Sequence, residues 1–203
     1  MRKLLDRIRS EGLWSTLAYL IITLGIEKLR LQINYLFTYP LERQTTIDVG
    51  PMVVIQHAEN FDHKLQEQIS QLSDWHYVNE LISQLDKGRV IVMSLINDKP
   101  ASIGLLARRK TDKEYIKTGD WVFKNAYTFP YARGKGMHLK TLVARCQYAL
   151  HQMEKEASTN QIVTEVSIAN TASTRGITKA GFVKQHLIIK YKGKLVKMFN
   201  LAK

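Results

Sequence analysis

The sequence predicts a mixed α/β fold, one sheet flanked by helices, behind an N-terminal helical extension, and three observations predict it. After Pro40, short runs of β-branched and aromatic residues alternate with segments of helical spacing. The glycine-containing turn Arg133-Gly134-Lys135-Gly136 separates a strand-like run from the strongest helical pattern in the chain. Before Pro40, apolar residues recur at helical intervals instead. With 203 residues, 45% hydrophobic and 24% charged, the chain is large enough for one domain and an extension, and its composition excludes a disordered or fibrous protein. The expected division is residues 1–45 as extension and 46–203 as domain.

Residues 1–38 read as helix: Leu4, Leu5 and Ile8 share a stripe, Leu13, Leu17, Leu20 and Leu24 continue it, and Leu29, Ile33 and Leu36 extend it. The apolar run Leu13–Ile26 makes about 21 Å of helix, short of the roughly 30 Å of a bilayer core. Thr23-Leu24-Gly25 has the form of a cleavage site, but Asp6 and Glu11 interrupt the basic start that a signal peptide needs. The expectation is a helix docked on the domain or lying on a membrane surface, ended by Tyr39-Pro40.

Beyond it, Met52–Gln56 reads as strand and Glu59–Leu72 as helix, with Phe61, Leu65, Ile69 and Leu72 in register. Arg89–Ile96, Ala101–Arg109 and Trp121–Thr128 are strands, the first two joined by the turn Asn97-Asp98-Lys99-Pro100. Leu139, Leu142, Val143, Cys146, Leu150 and Met153 mark one face of a helix after Gly136. Ile162–Ala169 is a strand and Asn170–Lys179 a short helix. Val183–Tyr191 and Leu195–Leu201 pair around Lys192-Gly193.

A formal charge of +12 implies an anionic partner: nucleotide, nucleic acid or membrane surface. The excess is uneven, with net +2 over 1–50, +7 over 100–145 and +6 over 183–203. The tail lysines alternate with apolar residues, as on a solvated hairpin face, and are not gathered on a helix that would enter a groove, so nucleic acid is not expected. A single cysteine excludes a disulfide framework and an all-cysteine metal site, and fits a reducing, cytoplasmic setting. Cys146 falls on an apolar helix face and reads as core. His57, His63 and His76 lack metal-ligand spacing, and no metal is expected.

Chemistry concentrates in Thr128-Phe129-Pro130-Tyr131-Ala132-Arg133-Gly134-Lys135-Gly136-Met137-His138. Glycines at a helix start let an anion approach free N–H groups, the helix dipole adds about half a positive charge, and Arg133 and Lys135 add full charges. A second signature follows: Asn170-Thr171-Ala172-Ser173, then Gly181-Phe182. Together the two resemble the GNAT superfamily of acyl-CoA N-acyltransferases. The family's Arg/Gln-x-x-Gly-x-Gly/Ala loop falls on Arg133, Gly136 and His138, its preceding proline on Pro130, and its Asn…Gly-Phe segment on Asn170, Gly181 and Phe182. The resemblance covers Met52 to Lys203 and implies a mostly antiparallel twisted sheet.

It further implies acetyl-CoA as acyl donor, its pyrophosphate held by Arg133, Gly134, Lys135, Gly136, Met137 and His138, with Asn170 and Ser173 beside it. The pantetheine would pair with backbone near Tyr127, Thr128 and Phe129, where an N–H would polarise the thioester carbonyl. Two positions depart from the family pattern. The third small residue of the loop is His138, and the place where many members carry a tyrosine acid is Ile177. Ser173, Asp120 and Glu165 are the candidates for acid and base, with His138 also bordering the cleft. The implied acceptor is a small amine; a helical leader before such a domain resembles acetyltransferases of envelope-polysaccharide contexts, which suggests an amino sugar. A catalytically silent CoA-binding scaffold and a basic membrane-surface binder stand as alternatives, and a homodimer is left open.

Overall fold

The computed structural model describes residues 31–42, 47–112 and 115–201. Its element order is β1 (Leu31–Tyr39), β2 (Met52–Ile55), a 3-10 turn (Ala58–Asn60), α1 (His63–Leu72), α2 (Trp75–Asp86), β3 (Arg89–Ile96) and β4 (Lys99–Arg108). There follow β5 (Trp121–Thr128), a 3-10 turn (Pro130–Ala132), α3 (Met137–Lys155), β6 (Ile162–Ser167), α4 (Thr171–Lys179), β7 (Val183–Tyr191) and β8 (Lys194–Asn200). The strands form one sheet in the order β2-β3-β4-β5-β6-β1-β7-β8. All neighbours are antiparallel except β5 and β6.

The two faces bury separate cores. Phe37, Leu106, Phe123, Ile162 and Leu187 meet Leu142, Cys146, Ala149 and Met153 of α3 and Ile177 of α4. On the other face Ile91, Met93, Ile103 and Leu105 meet Leu65 and Ile69 of α1 and Val78, Leu81 and Leu85 of α2. Asp62 caps α1 and Asp74 caps α2 by accepting the N–H of Lys64 and of Tyr77. The helix expected over Glu59–Leu72 is therefore broken at Phe61-Asp62, where the cap restarts it. α2, unassigned by the sequence reading, carries its buried residues at ordinary helical spacing.

The largest departure is at residues 31–38, expected as helix and found as strand. β1 lies inside the sheet, pairing with β6 through Asn34–Tyr39 and with β7 through Leu31–Thr38. Leu31, Ile33, Tyr35, Phe37 and Tyr39 alternate onto the α3 face, and Leu36 is buried on the other. A strand buried on both faces shows apolar residues at odd and even positions, and Ile33 and Leu36 within it mimic a helical interval. The domain accordingly begins no later than Leu31, not at residue 46. The remainder of the expected leader, residues 1–30, lies outside the described residues. Among the described residues no helix is long and apolar enough to cross a membrane.

Phe37 is fully buried at the centre of this inserted strand. Phe37→Ala is expected to lower the unfolding free energy by about 3–5 kcal/mol in urea titration; a loss below 1 kcal/mol would place β1 outside the cooperative core.

Candidate active site

β5 and β6 stay paired over only Trp121–Phe123 against Ile162–Thr164. Just beyond, β5 carries a bulge. Gly104 faces Ala126 while Leu105 faces Lys124, which leaves Asn125 as an extra residue with φ of 29°. A bulge bends its strand and increases the twist. β5 turns away from β6, and a gap opens with Lys124 and Glu165 on its rims.

Arg145 of α3 braces the bulge from below. It is fully buried, its Nη1 donating to the carbonyls of Leu105 (3.3 Å) and Lys124 (3.4 Å) and its Nε to that of Thr141 (3.4 Å). The guanidinium also lies 4.5 Å from the centre of the Phe123 ring. Burial lowers its pKa to about 10, so it stays charged at neutral pH. Space for it exists because residue 104 is glycine: a Cβ there would meet Arg145 Cζ and Nε at 2.6 Å.

Two cavities meet at the gap. On the α3 face a cleft of about 210 Å³ is lined by Ala126, His138, Arg145, Asn170, Ser173 and Ile177, among others. On the opposite face lies a chamber of about 630 Å³. Phe123, Lys124, Asn125 and Glu165 line both.

The cleft leads to the start of α3. Gly134 (φ 76°) and Gly136 (φ 74°) hold left-handed conformations, and a Cβ on either would meet nothing within 4 Å, so backbone geometry and not crowding calls for glycine. α3 has no side-chain cap, and its first loop acceptor is Gly136 O, taken by the Lys140 N–H at 3.1 Å. The N–H groups of Gly136, Met137, His138 and Leu139 meet no acceptor among the described residues. They form an open anion cradle at the positive end of a 19-residue helix. Arg133 and Lys135 flank it, exposed; the Arg133 Nε donates to Thr128 O (3.3 Å) and Lys135 lies 5.9 Å from the Tyr131 ring centre. The Met137 side chain is buried with Ala101 and Ala132, so only its backbone faces the cradle.

His138 turns away from the cradle. Its Cδ2 sits 2.9 Å from where a Cβ on Gly176 would stand, so α4 receives the ring only because that residue is glycine. Burial first, and the charge of Arg145 second, lower its pKa to about 4, which keeps the imidazole neutral. Asn170 caps α4, accepting the Ser173 N–H at 3.0 Å, and both residues line the cleft. Ile177 lines it too, 4% exposed, an apolar wall.

Other predicted residues fall elsewhere. Asp120 is buried and committed to backbone: it accepts the N–H of Lys117 (2.7 Å) and of Gln161 (2.9 Å), clasping the loop before β5 to the start of β6. It lines neither cavity, so the structure places it away from the gap where an acid or base was expected. Tyr127 and Thr128 also line neither. Tyr127 packs on Tyr77 and Phe129, Thr128 Oγ1 bonds Ser102 Oγ, and Phe129 is fully buried. The stretch of β5 that borders the cleft is Lys124–Ala126 instead. The Tyr131 phenol donates to the carbonyl of Pro100 (2.7 Å). Burial raises the Cys146 thiol well above its ordinary range, in keeping with a core residue.

Glu165 sits at the gap, held on three sides. Tyr115 donates to Oε1 (2.5 Å), and Lys190 (2.6 Å) and Asn34 (3.3 Å) donate to Oε2. Tyr115, Lys190 and Arg145 had no signal in the sequence, because their partners come from strands and loops far away in the chain.

Two outcomes follow from these contacts. Gly104→Ala drives a methyl into a buried guanidinium and is expected to cost about 1–3 kcal/mol in urea unfolding; an unchanged midpoint would mean that Arg145 is free to move. Because His138 titrates lower in the folded protein, the unfolded chain binds the extra proton between about pH 4 and 6.5. Its contribution to stability is present above pH 6.5 and lost as pH falls toward 4, up to about 3 kcal/mol. His138→Gln should flatten that slope; an identical slope would place the titration elsewhere.

No protein-family model matches the sequence, and no curated protein matches it. Solved structures do match in shape. A GNAT-family acetyltransferase from Colwellia psychrerythraea superposes with a TM-score of 0.56 at 13% identity, covering 82% of this chain and 56% of that one. A putative GNAT-family acetyltransferase from Novosphingobium aromaticivorans gives 0.50 at 12% identity, covering 79% and 63%. The chain thus spans less than two thirds of the length of either neighbour. Its mostly antiparallel sheet flanked by helices is the fold of the GNAT superfamily.

Proposed function

We propose that this chain transfers an acetyl group from acetyl-CoA to a primary amine by direct attack. The observation that carries the reading is the continuity of three features: the free N–H cradle at the start of α3, the cleft beside it and the gap between β5 and β6. The cradle, with Arg133 and Lys135, suits a pyrophosphate. The edge of β5 at Asn125–Ala126, beyond the last residue paired with β6, suits an extended pantetheine arm, which pairs as a strand would. Asn125, left outside the β4–β5 ladder by the bulge, presents backbone where the thioester carbonyl arrives and is suited to polarise it.

The amine nitrogen forms a bond to the carbonyl carbon, the C–S bond breaks, and sulfur leaves with the electron pair. A thiol pKa near 8.5 lets the thiolate depart near neutrality with little help, which fits an apolar Ile177 on the cleft wall. Ser173 on the same wall, or water, returns a proton to sulfur. Glu165, held in place by Lys190, Tyr115 and Asn34, takes the proton that the amine sheds.

Gly136→Asp puts a carboxylate in the cradle and should abolish acetyl-CoA binding in calorimetry; undiminished binding would move the site elsewhere. Glu165→Gln should lower kcat by about 10²–10⁴-fold with acetyl-CoA binding intact. Thiol release over a panel of amines separates the enzyme from a silent CoA-binding scaffold: binding without release from any amine supports the scaffold.

A further inference from the structure

The chamber on the far side of the gap shares Phe123, Lys124, Asn125 and Glu165 with the cleft, and its walls are cationic. Lys87, Arg89, Arg109, Lys110, Lys124 and Lys190 line it, and among the described residues Glu165 is the one acid that does. Lys190 already neutralises Glu165 (2.6 Å). No carboxylate of a described residue lies at salt-bridge distance from Lys87, Arg89, Arg109 or Lys110. These cations come from four separate places, the α2–β3 turn, the end of β4, the middle of β5 and β7, yet converge on one concavity. Lys110 Nζ, for instance, reaches to 3.8 Å from where a Cβ on Gly88 would stand. Surface lysines that merely keep a protein soluble point outward and apart. Like charges gathered in a cleft repel one another, and a concave low-dielectric wall focuses the resulting field on an anion. The volume of about 630 Å³ suits a ligand larger than a simple alkylamine.

We infer that this chamber is the acceptor site, and that the acceptor is an amine that also carries an anionic group, phosphate or carboxylate, bound by Arg89, Arg109 and the lysines while its amino group faces the gap. The inference rests on the acetyltransferase reading for its chemistry, but the anion site is testable alone. Arginine's planar fork matches either oxyanion, so the two sources share one recognition. A polycationic acceptor is disfavoured by the same field.

The test is calorimetric titration of the full chain, without acetyl-CoA, against glucosamine, glucosamine 6-phosphate, muramic acid and tobramycin. The first three differ in carrying no anion, a phosphate or a carboxylate; the last is a polycation. At least one anionic amino sugar should bind tenfold or more tighter than glucosamine, with tobramycin weakest, and the preference should shrink at high salt. Which one gains identifies the anionic group. The paired change Lys87→Glu with Lys110→Glu, both exposed side chains, should erase the gain. Arg89→Gln, a milder change, should reduce it severalfold. Gly136→Asp, at the cradle, should leave it intact. No anion-dependent gain, a gain that survives the paired reversal, or tightest binding of tobramycin overturns the proposal. A gain that survives Gly136→Asp but accompanies no thiol release from any amine keeps the anion site and defeats the acetyltransferase reading instead.

Discussion

The candidate site depends on the separation of β5 from β6 after three paired residues. Parallel neighbours in a continuous sheet would seal the site, because ladder hydrogen bonds leave no room for a ligand. Here the ladder stops at Phe123 and Thr164, and beside it the bulge displaces backbone carbonyls from the β4–β5 ladder. Buried groups of that kind must be satisfied some other way. Arg145 supplies part of the answer: a buried guanidinium donates to carbonyls on both sides of the β4–β5 bulge. A buried charge bonded to neutral carbonyls is a costly device in general. It persists because Gly104 leaves the space and the Phe123 ring lies against it.

The other part of the answer is β1. β6 leaves β5 after Thr164 yet remains paired to β1 from Ile162 to Ser167 along its opposite edge. The strand inserted from the N-terminal side therefore lets β6 diverge without becoming a loose edge. It also contributes to the site, since Asn34 reaches Glu165, the residue on the rim of the gap. One segment thus closes the sheet, carries the Phe37 core and orients a carboxylate on the rim of the gap.

Local signals were read well and long-range ones poorly. β3, β5, β7 and α3 follow from periodicity, and the Gly134/Gly136 loop and the Asn170 cap follow from residues whose conformational roles are intrinsic to their type. β1 was misread because a strand buried on both faces contains apolar residues at helical as well as alternate spacing. The bulge at Asn125 was invisible, since it depends on the register of β5 against β4, and this moved the cleft edge from Tyr127 and Thr128 to Lys124–Ala126. Asp120 was assigned to the cleft from chain position alone. Its actual partners, two backbone N–H groups, include one 41 residues away in sequence. Glu165 lies on the face that alternation along β6 assigns it once Val163 is known to be buried on the same side.

The charge of +12 acquires a meaning only after folding. The basic block from 100 to 145 is one run in sequence, but the sheet divides it. Arg133 and Lys135 stand by the cradle at the start of α3, whereas Arg109, Lys110 and Lys124 stand on the chamber wall beyond the gap. Arg145, buried at the back of the cleft, is committed to the bulge between them. From the tail block Lys192, Lys194 and Lys197 stay exposed on the outer hairpin, as alternation suggests, while Lys190 turns inward to Glu165. A single anionic ligand on one surface does not account for cations placed on both sides of a sheet. Two anion-bearing molecules meeting at one gap from opposite faces, as proposed above, would account for them: one at a helix terminus, the other at side chains, with the carboxylate between them paired to its own lysine.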